Sequence, residues 1–376
     1  MKQRYTVKSG IDRTALWEEM VRGKRVGMLT AASGVNKTGK LSYRVLAEKC
    51  KLVSLFAPEH GIRSSAQDGK YGVEQVEPVT GARICNLNSR DYSEAEAMLR
   101  EVDLLCYDIQ DVGARFYTYL WSLYDLIKIC GRLGVPVLIF DRINMIGGHR
   151  VEGAILLEEY SSFIGRRPIP TRYGLTVGEL MTYLNEKDGL GCEITVIPVE
   201  GWRRSVYYDE TDLLFVNPSP NIPSVSCAVN YIGTCLIEAT NLSEGRGTTR
   251  PFDLVGAPFL RGDEMCDYMN SRNLDGVLFR STVFTPGFNK FAGEACEGVE
   301  LHITDRESYE PIRAMMEMWK YLRTYEEFTF RRDGAALRFG TDLLAADFDV
   351  ERFFEENRVK LLTFTRETAK YHLYDD

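Results

Sequence analysis

What the sequence lacks narrows its possibilities first. No stretch approaches the roughly 18 consecutive apolar residues of a membrane-crossing helix. The start, Met1 to Lys8, is basic and lacks the apolar run of a signal peptide. Charge is not segregated: 46 basic and 54 acidic residues give a net charge of −8, without long runs of either sign. Nucleic acid and anionic membrane both select clustered positive charge, so neither is expected as a partner. Histidine is scarce. His60, His149, His302 and His372 form no H-x-x-x-H pair, and there is no C-x-x-C, so the spacings of a zinc site are missing. The cradles G-x-G-x-x-G and G-x-x-x-x-G-K-[ST] are also missing, which argues against NAD or ATP as a cofactor. No G-x-S-x-G marks a serine nucleophile, and no cysteine has an activating neighbour. The nine cysteines are irregularly spaced, several of them among apolar residues (Cys106, Cys130, Cys235). They read as buried free thiols, so the cytoplasm is the expected location unless a leader has been removed.

What is present describes a globular chain. A length of 376 residues with 44% hydrophobic and 27% charged content exceeds one typical core and points to two domains. Apolar β-prone runs and helical patterns alternate over the first 150 residues. Strands are expected at 25–30, 52–56, 83–87, 103–108 and 135–140. Helices are expected around 43–51, from a Ser93 cap with Glu96 as a capping box, and from Thr118 to Gly134. This βαβα order predicts an α/β fold with a doubly wound, mostly parallel, Rossmann-like sheet. A stretch rich in Gly, Pro and Arg over 143–175 follows as a crossover. A second, smaller α/β domain then uses a helix at 177–185, strands near 193–199, 276–284 and 299–304, and a helix at 309–325. The expected domains are residues 1–155 and 156–376, with a cleft between them.

Three stretches carry polar groups suited to chemistry. In Leu52-Val-Ser-Leu-Phe-Ala-Pro-Glu-His-Gly-Ile-Arg63, Pro58 ends a buried strand because it has no N–H to donate, and Gly61 permits a sharp exit. Glu59 and His60 thus project from the carboxyl end of that strand, the edge where open α/β sheets bind ligands. Asp108, Asp111 and Asp141 follow two further strands and are expected on the same rim. In Asp108-Ile-Gln-Asp-Val-Gly-Ala-Arg-Phe-Tyr-Thr-Tyr119, acceptors alternate with aromatic rings, as a carbohydrate with hydroxyl edges and C–H faces requires. The third, Glu238 to Arg250, is dense in Glu, Arg, Asn and Ser/Thr, and glycines flank Arg246. Such a loop suits a wall for a sugar or an anion.

Taken together, Phe56-Ala-Pro-Glu-His-Gly-Ile-Arg63, the Asp108–Tyr119 stretch, Val151-Glu-Gly153, Pro218-Ser-Pro-Asn221, Thr240-Asn-Leu-Ser-Glu-Gly-Arg-Gly-Thr-Thr249 and Gly298-Val-Glu-Leu-His-Ile-Thr-Asp305 resemble, in order, the NamZ-type exo-β-N-acetylmuramidases. The chain departs from that family's usual pattern at Ala66 to Lys70, at Asn86 to Ser89 and at Ile143. The resemblance implies a Rossmann-like first domain, a second α/β domain and a cleft between them. It implies release of terminal N-acetylmuramic acid from the non-reducing end of peptidoglycan-derived glycans; from the missing spacings above, no cofactor or metal is expected. Glu59 is the leading catalytic candidate by that resemblance. Glycoside hydrolysis ordinarily needs a second carboxyl group, and Asp108, Asp111 and Glu244 are the candidates unless the substrate's own N-acetyl group takes that part. His60, Arg63, Gln110, Arg115, Tyr117, Asn221, Asn241 and Arg246 are the expected substrate contacts. Arg246 is the first choice for the lactyl carboxylate, since Arg binds carboxylate bidentately. The alternatives are a muropeptide-binding protein without turnover and a related exo-N-acetylhexosaminidase.

Overall fold

The computed structural model describes residues 4–59, 61–63, 75–87, 91–341 and 349–376. Six strands form its first sheet: β1 (Arg25–Thr30), β2 (Lys51–Ala57), β3 (Arg83–Asn86), β4 (Leu104–Asp108), β5 (Val137–Phe140) and β6 (Ile194–Ile197). All pair in parallel, in the order β3-β2-β1-β4-β5-β6. This is the doubly wound order, in which the chain steps outward from β1 and then restarts beside it at β4, opening a crevice at the strands' carboxyl ends. The strands read as continuous apolar runs because both faces are covered. In β4, Leu104 and Cys106 join a core with Trp17, Tyr43 and Phe140, whereas Leu105 and Tyr107 point into the larger core on the other face.

Helix Tyr119–Leu133 covers that larger face, and Gly134 ends it in the left-handed conformation at φ 68°. Thr176 and Glu179 close a capping box at the start of helix Val177–Lys187. The capping box expected at Ser93 does not form. Helix Ser93–Leu99 starts one residue earlier in register, with Tyr92 at the cap position, and Asp91 Oδ1 accepts the Ser93 N–H at 2.9 Å.

A second, smaller sheet is antiparallel. It holds β7 (Leu254–Ala257), β8 (Val277–Phe284) and β9 (Cys296–Ile303) in the order β7-β9-β8, backed by helix Gly262–Ser271, against which helix Pro311–Leu322 packs in turn. Two further features differ from the sequence expectation. Strand β7 was not foreseen, and β6 pairs with β5, so the parallel sheet runs on past the expected boundary at residue 155. Trp319 on helix Pro311–Leu322 packs edge-on against Phe328, Phe330 and Phe339, tying the helical C-terminal segment to this unit. No helix among the described residues is long and apolar enough to cross a membrane. All nine cysteines are free, and seven are buried.

Candidate active site

The chain following β2 turns sharply at Pro58, whose carbonyl accepts the Gly61 N–H at 3.0 Å, and Gly61 sits at φ 77°. The turn leaves Glu59 partly buried on the wall of a cavity of about 370 Å³. Thr118, at the N-terminal end of helix Tyr119–Leu133, donates its hydroxyl to Glu59 Oε2 at 3.1 Å. Among the described residues no cation forms an ion pair with Glu59. His60 lies outside the described residues.

The rest of the wall is aromatic and charged. Phe116, Tyr231 and Phe252 pack edge to face in series, at 5.0 and 4.7 Å between ring centroids. Tyr117 leans on Tyr119 at 4.7 Å and is anchored by its hydroxyl to the Pro218 carbonyl at 2.8 Å. Glu238 and Glu244 enter from the second unit with Arg246, Lys290, Arg331 and Arg338. Glu238 binds Arg246 at 2.7 Å and Arg338 at 2.6 Å. Burial alone would raise its carboxyl, but the two guanidiniums hold it below the ordinary carboxylate range. Glu244 binds Lys290 at 3.0 Å and Arg246 at 3.3 Å. Two wall residues, Phe252 at φ 63° and Asn289 at φ 71°, adopt a backbone conformation that side chains disfavour, a cost of about 1–3 kcal/mol each that surrounding packing must offset.

Several expected site residues sit elsewhere. Asp108 is fully buried against Arg142, which clasps it through Nε and through Nη2 at 2.9 Å. Asp111 accepts the Tyr173 hydroxyl and the Gly113 N–H (2.7 Å), and burial pushes its carboxyl up to about 6. Asp141 accepts from Thr176, Gly178 and Tyr374. Of the acids expected on the sheet's rim, Glu59 alone lines the cavity; the aspartates are consumed inside the fold. Gln110 donates to the backbone carbonyls of Asp111 and Ile143, both at 2.8 Å. Asn241 binds the backbone at Glu327 and Thr329. Asn221 is buried beside the wall, between Ser219 and Ile222, which line it. Arg63 is exposed and is not part of the cavity wall. Arg115 is not paired with Asp111. It is fully buried, donates to the Arg338 carbonyl at 2.7 Å, and burial lowers its guanidinium to about 9. Gly247, one of the glycines flanking Arg246, lets protein backbone approach closely: a Cβ there would lie 2.5 Å from the Phe288 carbonyl oxygen. Thr118, Lys290, Arg331 and Arg338 were not foreseen as site residues, and nothing local in the sequence marks them. Among the described residues, no group of three or more His, Cys, Asp or Glu is arranged to hold a metal ion.

This architecture is that of the DUF1343 proteins. Two crystal structures of DUF1343 family proteins from Bacteroides fragilis NCTC 9343 superpose on it. One has a TM-score of 0.90 and 28% identity, covering 99% of this chain and 100% of that one. The other has a TM-score of 0.81 and 28% identity, covering 98% and 99%. The N-terminal profile of the exo-β-N-acetylmuramidase NamZ matches residues 26–226, and the C-terminal profile matches residues 229–374. The peptidoglycan β-N-acetylmuramidase NamZ of Bacillus subtilis (strain 168) is 38% identical over 98% of this chain and 91% of its own length. The chain belongs to the NamZ family of exo-β-N-acetylmuramidases, and with it to the glycoside hydrolases.

Proposed function

We propose that this chain releases terminal β-N-acetylmuramic acid from the non-reducing end of peptidoglycan fragments, with Glu59 as its general acid. The position of Glu59 carries this reading. It stands at the carboxyl edge of the parallel sheet, on a cavity wall, oriented by Thr118, and among the described residues no cation pairs with it. Its carboxyl group protonates the glycosidic oxygen as the bond to the anomeric carbon breaks. Water then adds at that carbon and gives its proton to a second basic group. Glu244 is the proposed second carboxylate, since Asp108 and Asp111 are enclosed by protein and Glu244 lines the same cavity. Lys290 and Arg246 fix its position. The aromatic series Phe116, Tyr231 and Phe252 supplies the apolar wall, and Tyr117 completes it. We further propose that the cleft lies between two domains, with the parallel sheet giving Glu59 and the antiparallel unit giving the charged wall.

The test is hydrolysis of a chromogenic β-N-acetylmuramide and of the matching β-N-acetylglucosaminide by purified protein without added cofactor. Turnover of the muramide is the expected result. Turnover of the glucosaminide alone would mark an exo-N-acetylhexosaminidase, and binding of the muramide without turnover would mark a binding protein.

A further inference from the structure

Muramic acid differs from glucosamine by a lactyl ether whose carboxylate is ionised at neutral pH. A site that selects it needs a cation with free donors. Among the described residues the cavity wall holds four cations, and three are already engaged. Arg246 is shared between Glu238 at 2.7 Å and Glu244 at 3.3 Å, with its guanidinium over the Phe252 ring. Arg338 gives Nε and Nη2 to Glu238 (3.2 and 2.6 Å) and Nη1 to the Gly334 carbonyl. Lys290 uses all three ammonium hydrogens, on the Ile237 and Leu242 carbonyls and on Glu244, at 3.0, 2.7 and 3.0 Å. The fourth is Arg331. It is exposed on the cavity wall, and among the described residues its guanidinium meets no carboxylate and no carbonyl.

We infer that Arg331, rather than Arg246, binds the lactyl carboxylate, and that Asn241 is the residue that positions it. This rests on the muramidase reading given above. An unoccupied guanidinium offers a planar fork of donors that matches a carboxylate, and no existing ion pair has to break for it to do so. The segment carrying it is held from below. Asn241 Nδ2 donates to the Glu327 carbonyl at 2.8 Å, its Oδ1 accepts the Thr329 N–H at 2.9 Å, and its own N–H donates to the Thr329 carbonyl at 3.0 Å. Phe330 pairs with Thr240, and the Arg331 N–H donates to the Ala239 carbonyl at 2.8 Å. Asn241 thus acts through Arg331: it sets the backbone from which the side chain enters the cavity.

Calorimetric titration with N-acetylmuramic acid and with its lactyl methyl ester tests the assignment, because the ester keeps the shape and removes the charge. The wild type should prefer the acid by at least about tenfold, the scale of a hydrogen bond to a charged group. Arg331→Ala should lose that preference while its ester affinity stays put, and Arg331→Lys should keep part of it. Asn241→Ala should weaken acid binding more than ester binding. Arg246→Ala should weaken both ligands alike, since it loosens Glu238 and Glu244 together. Retention of the acid preference in Arg331→Ala, or its absence from the wild type, would overturn the inference. An acid preference that depends on Arg331 in a protein that never hydrolyses muramides would leave the inference standing and remove the proposed activity instead.

Discussion

Replacing Glu59 by Gln isolates the proton from everything else that residue does. The side chain keeps its size and its acceptor oxygen, so the Thr118 hydroxyl can still donate to it. No ion pair is lost among the described residues, and the position is only partly buried. Stability should therefore move by no more than about 0.5 kcal/mol, as for a substitution away from buried networks. Catalysis should fall much further. Loss of a general acid typically costs about 10²–10⁴-fold, or roughly 3–5 kcal/mol at 1.36 kcal/mol per decade. The assay is kcat on a chromogenic β-N-acetylmuramide, with thermal unfolding and product binding measured on the same preparation. An inactive variant that melts and binds like the wild type supports the assignment. A variant retaining more than about a tenth of the wild-type kcat would refute it, because no amide can supply that proton. Thr118→Val gives a graded companion. Removing one neutral hydrogen bond, a net effect of about 0.5–1.5 kcal/mol, should lower kcat by roughly 2- to 10-fold without abolishing it.

Three other outcomes follow from where the remaining acids lie. Asp108→Ala leaves Arg142 buried without its partner and should cost about 3–5 kcal/mol of stability by denaturant unfolding, while the folded fraction keeps its kcat. For Asp111, the folded carboxyl is raised to about 6, so the folded state binds the proton more tightly than the unfolded chain, and this contribution is lost as pH rises from about 4 through 6. Asp111→Asn removes that loss. Its stability relative to wild type should rise across the same window by up to about 3 kcal/mol, and a flat or falling difference would refute the reasoning. Dialysis against a strong chelator should leave the rate unchanged, because no suitable donor group occurs among the described residues. Activity that is lost and then restored by one divalent ion would show a cation requirement that donor spacing fails to reveal.

The sequence by itself determined the layered framework. Continuous apolar runs at β1, β2, β4 and β5, separated by helical patterns, require a parallel sheet covered on both faces, and the structure has one. The same reading put Glu59 at the carboxyl edge, because a proline after a buried strand has few other places to go. Short elements were less legible. Strand β7 has four residues, including Gly256, too few to show a period, and it forms because β9 pairs with it across some 40 residues. Ser93 and Glu96 have the spacing of a capping box, but Asp91 takes the Ser93 N–H first.

The fates of polar side chains belonged to the tertiary structure. Asp108 and Asp111 follow their strand much as Glu59 follows β2, and no local pattern separates them. The difference is that Arg142 and Tyr173 arrive from later loops to enclose the aspartates, whereas none of the described residues encloses Glu59 in that way and it lines a cavity. Arg246 was the first choice for the lactyl carboxylate from its glycine-rich loop, but folding brings Glu238 and Glu244 against it. Lys290, Arg331 and Arg338 reach the cavity from segments far along the chain. A side chain's charge is written in the sequence, but its availability depends on which opposite charges fold within about 4 Å of it, and only the assembled chain decides that.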